Sequence, residues 1–298
     1  MFLSGSLFTT SLLMAQGDKK TVVADSSYFK FSVGYLSNYV YTGRKDSLIT
    51  PYISPSLGYY DKSGFYISGT LSYLSSGPYK SIDLFSLDIG YDFTATDKFS
   101  GSVYANKSFY KQTSTTITSD IKGSLGSSIS YDLDFLLASG GVDMILGTKT
   151  DFGLNVGLSH AFSFGSNDDL FTIAPSVYSY LSTLHFYEGY TNRKTGKANK
   201  QFNPNLASSV STTTVDSDTG LTLLDYEVSL PLTYDRKKVG FYLTPTIAIP
   251  KNPIYTTTTT VNKLPGGATN TIVSNSTPQS EKNLSTVFFV ELGLYIKL

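Results

Sequence analysis

Apolar and polar residues alternate with a period of two along most of this chain. In "SIDLFSLDIGYDF", Phe85, Leu87, Ile89, Tyr91 and Phe93 fall on one side, and Ser86, Asp88, Gly90 and Asp92 on the other. That is the repeat of a pleated strand. "DFGLNVGLSHAFSF" likewise sets Phe152, Leu154, Val156, Leu158, Phe162 and Phe164 against Gly153, Asn155, Gly157, Ser159 and Ser163. Helical spacing is never sustained. The pattern predicts about twelve strands, at 27–41, 48–60, 65–76, 82–93, 99–110, 119–131, 135–146, 151–164, 170–186, 220–233, 239–249 and 285–298. The pair meeting at Tyr131–Phe135 is the weakest, and ten strands is the alternative without it. Several of these exceed the ~5–6 residues usual in globular sheets and suit the ~9–11 that cross a bilayer at a tilt.

The connections fall into two classes. Asp61–Gly64, Ala95–Lys98, Asp132–Asp134, Gly165–Asp169 and Asp235–Lys238 are tight turns on one side. The other side carries two long segments, 187–219 and 250–284, rich in Thr, Ser, Asn and Gly and expected to build no core of their own. Short turns on one side and long loops on the other mark a transmembrane barrel. The sorting of faces fits two architectures: a soluble sandwich or jelly roll with its apolar faces together, or an all-β, up-and-down antiparallel barrel with lipid outside. Tyr39, Tyr41, Tyr59, Tyr60, Tyr73 and Tyr91 near strand ends suit an interfacial girdle. The last eight residues, "ELGLYIKL", favour the barrel. Their Glu291, Gly293, Ile296 and Leu298 resemble the C-terminal signal read by the outer-membrane barrel assembly machinery, with Leu where Phe is usual.

Composition narrows the partners. The 298 residues carry 23 basic and 23 acidic side chains, so no basic excess for nucleic acid is present. Cysteine is absent, which excludes disulfides and thiolate metal sites. Residues 1–15 contain a short apolar run ending at Ala15, read as a signal peptide whose positive start is incomplete. Residues 16–26 follow as a periplasmic segment and 27–298 as an outer-membrane barrel, with lipid and lipopolysaccharide as its surroundings.

Chemistry is sparse. His160 and His185 are the two histidines. Folded as a hairpin, they lie ~11 residues apart along the strands, more than about 30 Å at ~3.3 Å per residue, and cannot share a metal. Strand parity puts His160 on the lipid side near the tight-turn interface. No Gly-x-Ser-x-Gly elbow and no phosphate-binding Gly-rich loop occur. "DSDTG", with Asp216 and Asp218, lacks the later acids of a calcium loop and reads as an Asx-type turn. No enzyme, cofactor or metal is expected. By parity the inward face carries Asp88, Asp92, Asp143, Asp225, Glu227 and Glu291 against Lys30, Lys122 and Lys297. These either rivet the interior or wall an aqueous path that favours cations. Arg193, Lys194, Lys197 and Lys200 form a basic cluster in a long loop, read as a solvated tip, a grip for lipopolysaccharide phosphates, or a segment folded inward against the acidic wall to narrow a pore.

Residues 33–76 carry Tyr39, Val40, Tyr41 and Gly43, then Pro51, then Gly64, Phe65 and Tyr66. This run resembles the opening of the TorF-family porins, in which Arg is usual where Thr42 stands, with Arg44 nearby. The resemblance covers the first third, implies an outer-membrane barrel and a pore, and supplies no catalytic residues. Two functions stay open: a passive pore for small polar or cationic solutes, or a non-conducting structural, receptor or adhesive barrel displaying its long loops.

Overall fold

The computed structural model describes residues 26–45, 49–77, 80–114, 116–166, 168–188, 208–215, 220–263, 268–274, 281 and 284–298. Twelve strands form one closed antiparallel barrel. They are β1 (Tyr28–Leu36), β2 (Tyr52–Tyr60), β3 (Phe65–Leu74), β4 (Ser81–Thr96), β5 (Phe99–Tyr110), β6 (Gly123–Asp132) and β7 (Leu137–Leu146). Next come β8 (Thr150–Ser159 and Phe162–Ser166), β9 (Asp169–Ile173 and Ser176–Ser182) and β10 (Thr222–Ser229 and Leu232–Arg236). β11 (Val239–Pro250) and β12 (Val287–Lys297) complete the set. Each strand pairs with the next, and β12 pairs with both β11 and β1 to shut the ring. The ring thus closes on itself without a free end strand, while the Phe162–Ser166 part of β8 extends past β7 and pairs only with β9.

The pairs Ser32–Ser56–Thr70–Ser86–Ser108 step from β1 to β5 at one level. Carried around the ring, the registers accumulate a stagger of about 16 residues. For twelve strands ~4.8 Å apart, that stagger tilts them by ~40–45° and sets a backbone radius of roughly 12–13 Å. Three adjacent strands are interrupted at matching heights. Pro175 and Pro231 sit in the breaks of β9 and β10, and Pro245 faces the β10 break from β11. Each proline lacks the donor the ladder needs. Bonds from His160, Ala174 and Leu230 to the carbonyls of Pro175, Pro231 and Pro245 carry the register across.

The exterior is apolar around the full circumference. Leu57 is 55 % exposed, Ile129 53 % and Phe152 55 %, whereas inward Ser86 is 0 %. Soluble monomers seldom expose an apolar patch beyond ~300–600 Å²; a belt on this perimeter exceeds that several-fold. The two-layer alternative is therefore removed, because the apolar face lies outside rather than between layers. No described helix is long and apolar enough to cross a membrane; the crossing elements are strands.

Some sequence expectations are corrected. The first two predicted strands, 27–41 and 48–60, overrun, because β1 ends at Leu36 and β2 begins at Tyr52, and Tyr39, Val40, Tyr41 and Arg44 between them are buried inside the barrel. Tyr60 also stacks inside it, while Tyr73 and Tyr91 face outward. Parts of the long loops add a feature that composition did not indicate. Ser208–Val215, Thr256–Lys263 and Thr269–Ser274 form a separate three-stranded antiparallel sheet, as suits their β-branched Thr and Val. Residues 1–25, the basic cluster Arg193, Lys194, Lys197 and Lys200, and the Asp216–Asp218 turn lie outside the described residues.

Candidate functional site: the barrel interior

The tight-turn half of the lumen is walled by tyrosines seated on glycines. At five directly paired positions the ring of an inward Tyr covers an inward Gly of the neighbouring strand: Tyr66–Gly90, Tyr104–Gly126, Tyr178–Gly157, Tyr242–Gly293 and Tyr295–Gly240. A Cβ at Gly240 would lie 2.1 Å from the Tyr295 ring, and one at Gly157 2.2 Å from Tyr178. The rings therefore lie flat against bare backbone, where any larger partner would push them into the bore. Period-two parity shows that Gly is inward but not which Tyr it meets, so these pairs were not visible before the register was known.

Carboxylates face these phenols. Tyr104 donates to Asp143 at 2.5 Å, Tyr242 to Glu291 at 3.2 Å, and Tyr295 to Asp235. Asn106 donates to Asp88 at 2.8 Å. The Lys30 ammonium lies 4.3 Å from the Tyr295 ring centre, and Lys297 lies over Tyr28 and Tyr295. Tyr28, Tyr60 and Tyr66 stack in a row at 5.2 and 5.8 Å.

The loop-side half is filled. Residues 40–45 fold inward as a small hairpin, Val40–Tyr41 against Arg44–Lys45. Its tip, Thr42 and Gly43, has φ of 47° and 73°, the twist of a tight primed turn, for which Gly is suited. A Cβ at Gly43 would meet the β-carbon of Asp225 and Pro250 at 3.0 Å, so the tip rests directly on the opposite wall. Arg44, 3 % exposed, fixes it there. Its guanidinium donates to the carbonyls of Thr42, Leu224, Lys251 and Asn252, and its Nε lies 3.3 Å from Glu281. Around the hairpin, Leu36, Tyr39, Val40, Tyr52, Ile117 and Phe186 are among the residues forming an apolar core inside the barrel.

Two buried aspartates hold the neighbouring loops in place. Asp83 accepts from Tyr52 at 2.7 Å, Ser114 at 2.8 Å and Thr116 at 3.0 Å. By parity Asp83 belongs with outward Phe85; a register shift at Ser72–Tyr73 turns it inward. Asp151 accepts from Thr183 at 2.5 Å and from the backbone N–H groups of His185 at 2.8 Å and Phe186 at 2.6 Å. It caps the short turn of helix that begins there.

Among the residues singled out from the sequence, Asp88, Asp92, Asp143, Asp225, Glu227 and Glu291 lie on inward positions of β4, β7, β10 and β12, with Lys30 and Lys297 near Tyr295. Lys122 is exposed just before β6, where its backbone bonds to Ser108 of β5 and Leu146 of β7. Gly293 seats Tyr242, Ile296 pairs with Phe31 on β1, and Leu298 exchanges both backbone hydrogen bonds with Phe29. His160 lies between the Phe135 and Phe162 rings at the tight-turn end. His185 lies past the end of β9, its Nδ1 3.0 Å from Asp151. The two histidines are at opposite ends of the barrel. Among the described residues no three His, Asp or Glu side chains share metal-ligand spacing.

No family model matches the chain. No curated protein matches it. Among solved structures it is similar to the KdgM porin, at 7 % identity and a TM-score of 0.43 over 90 % of this chain and 99 % of that one. It is similar also to the NanC porin, at 10 % identity and a TM-score of 0.44 over 91 % and 100 %. The outer-membrane channel DcaP of Acinetobacter baumannii matches at 11 % identity and a TM-score of 0.30 over 95 % and 100 %. At such values nothing about solute or conduction passes to this chain, whose barrel stands on its own strand pairing.

Proposed function

We propose that this chain is a bacterial outer-membrane channel of the pore type for small polar or cationic solutes, its loop-side mouth shut by the inward first loop. The observation that carries the reading is the contrast between faces: carboxylates and phenols inside, Phe, Leu and Ile outside. Acidic groups in a confined aqueous wall lower the entry cost of positive charge. Membership in the TorF-family porins belongs to the same proposal and rests on residues 33–76.

A second reading has its own observation. The apolar core around Val40 and Phe186, 1 % and 2 % exposed, occupies the loop-side lumen, which suits a non-conducting platform for the three-stranded loop sheet. Planar-bilayer recordings separate the two. The wild type and a variant with residues 38–50 replaced by a short turn are compared. Current in the shortened variant supports the channel; silence in both, over many insertions of folded protein, supports the platform.

Where current flows, Asp88→Asn, Asp92→Asn and Glu291→Gln together should move the reversal potential in a KCl gradient toward zero. An unchanged reversal potential would reject these three as the selective wall.

A further inference from the structure

The seam that closes the barrel sets two lysines side by side. Lys30 of β1 and Lys297 of β12 are directly paired across the ladder. Their ammoniums lie over the same inward ring, 4.3 and 5.5 Å from the centre of Tyr295. The other face of that ring is taken, since a Cβ at Gly240 would lie 2.1 Å from it. Both ammoniums therefore share the face that looks into the bore. Both side chains are part-exposed, Lys297 by 28 %. A third lysine adjoins them at the rim, where the Lys297 amide donates to the Lys238 carbonyl at 2.7 Å.

Like charges directly opposite on a sheet are destabilising, and little offsets this pair. Asp235 lies 3.8 Å from Lys297 and also accepts from the Tyr295 phenol. Among the described residues no carboxylate is within ion-pair distance of Lys30. Asp88 and Asp92 are on β4, with the Tyr28–Tyr60–Tyr66 row between them and the lysines. Each ammonium carries three donors, so the pair keeps donors for an incoming anion.

We propose that Lys30 and Lys297 bind the oxyanion of a small soluble solute, a carboxylate or a phosphate, at the tight-turn mouth of the lumen. A bridging oxyanion turns their repulsion into two charge-assisted hydrogen bonds. Tyr295, held between Gly240 and its bond to Asp235, forms the floor of the site. The site adds a negative group to the solute chemistry of the acidic wall. It does not depend on whether the lumen conducts, because it opens to the tight-turn side.

Pyridoxal phosphate is the probe, with pyridoxal as its phosphate-free counterpart. One ammonium holds the phosphate while the other lysine, as the free amine, condenses with the aldehyde; water leaves, and borohydride reduces the imine to a stable amine. The folded full chain in detergent is labelled and mapped by peptide mass, with exposed Lys62 in the β2–β3 turn as the internal reference. The rate ratio of pyridoxal phosphate to pyridoxal should be about tenfold or more higher at Lys30 or Lys297 than at Lys62. Inorganic phosphate and succinate should each slow labelling at the pair and not at Lys62, and the stronger competitor names the preferred oxyanion. Lys297→Met should remove the preference at Lys30, and Lys30→Met that at Lys297, with heat-modifiable migration verifying folding. Equal ratios at all three lysines of the wild type, or a preference that survives loss of the partner lysine, overturns the proposal.

Discussion

Arg44→Ala should release the first loop from the lumen. The substitution leaves Glu281 buried without its partner and removes the donors to four carbonyls, two of them on Lys251 and Asn252 beyond the end of β11. Breaking a buried pair by removing one member costs about 3–5 kcal/mol. The cost falls on the docked loop and not on the barrel ladder, which Arg44 does not join. Since ~1.4 kcal/mol is tenfold in an equilibrium constant, the undocked population should rise by roughly 100-fold or more. The absence of native cysteine makes the readout clean. Val40, 1 % exposed, replaced as Val40→Cys, should react slowly with a water-soluble maleimide in the otherwise native chain and far faster when Arg44→Ala is added. Arg44→Lys keeps the charge but loses the planar fork, and should fall between. If the channel reading holds, open probability rises in parallel. Equal labelling rates in the two backgrounds would show that Arg44 does not hold the loop.

Ile89→Arg should destabilise the protein in lipid by ~2–4 kcal/mol, the cost of a cation on a barrel's outer face near mid-bilayer. Ile89 sits midway along β4, 43 % exposed, and pairs with Ile67 and Ala105 on either side. Phe135→Arg, in the turn before β7, should cost no more than ~1 kcal/mol because it lies at the interface. In a water-soluble protein both would be surface changes, usually within ~0.5 kcal/mol. Urea titrations of the protein folded into vesicles provide the comparison, and equal small effects at both positions would contradict a lipid-facing exterior.

Much of the wall could be read from alternation alone. The run from Phe85 to Phe93 has its inner and outer residues as the parity assigned them, and the turns at Asp61–Gly64 and Asp235–Lys238 lie where the apolar repeat breaks. What alternation cannot encode is the point at which a strand leaves the sheet. Tyr39 and Tyr41 keep the parity of β1, yet Thr42 and Gly43 turn the chain inward there. The contacts that hold it are between residues as far apart as Arg44 and Asn252. Asp83 was hidden for a related reason: one extra residue in β4 reverses its face. That the Thr-rich loops, expected to build no core of their own, pair with each other could not be read from polar composition; Thr213 and Thr258 meet at 2.9 Å across a strand pair. A low-complexity β-branched segment still forms a ladder once a partner segment lies alongside.

The seam between β1 and β12 offers the most direct test of the account, because a single sheet closed on itself must join there. Phe29 and Leu298 exchange both backbone hydrogen bonds, so Ser32–Tyr295, three residues further along, is a non-hydrogen-bonded pair. Its Cα atoms should be ~4.5 Å apart, inside the ~4.4–6.8 Å that a disulfide spans. Ser32→Cys with Tyr295→Cys should oxidise to one intramolecular bridge that keeps the chain compact in hot detergent until reductant is added. Ser32→Cys with Tyr178→Cys, on strands far apart around the ring, should not. Two free thiols in the seam variant, or equal bridging in both, would mean that the first and last strands do not meet and that the barrel is not closed.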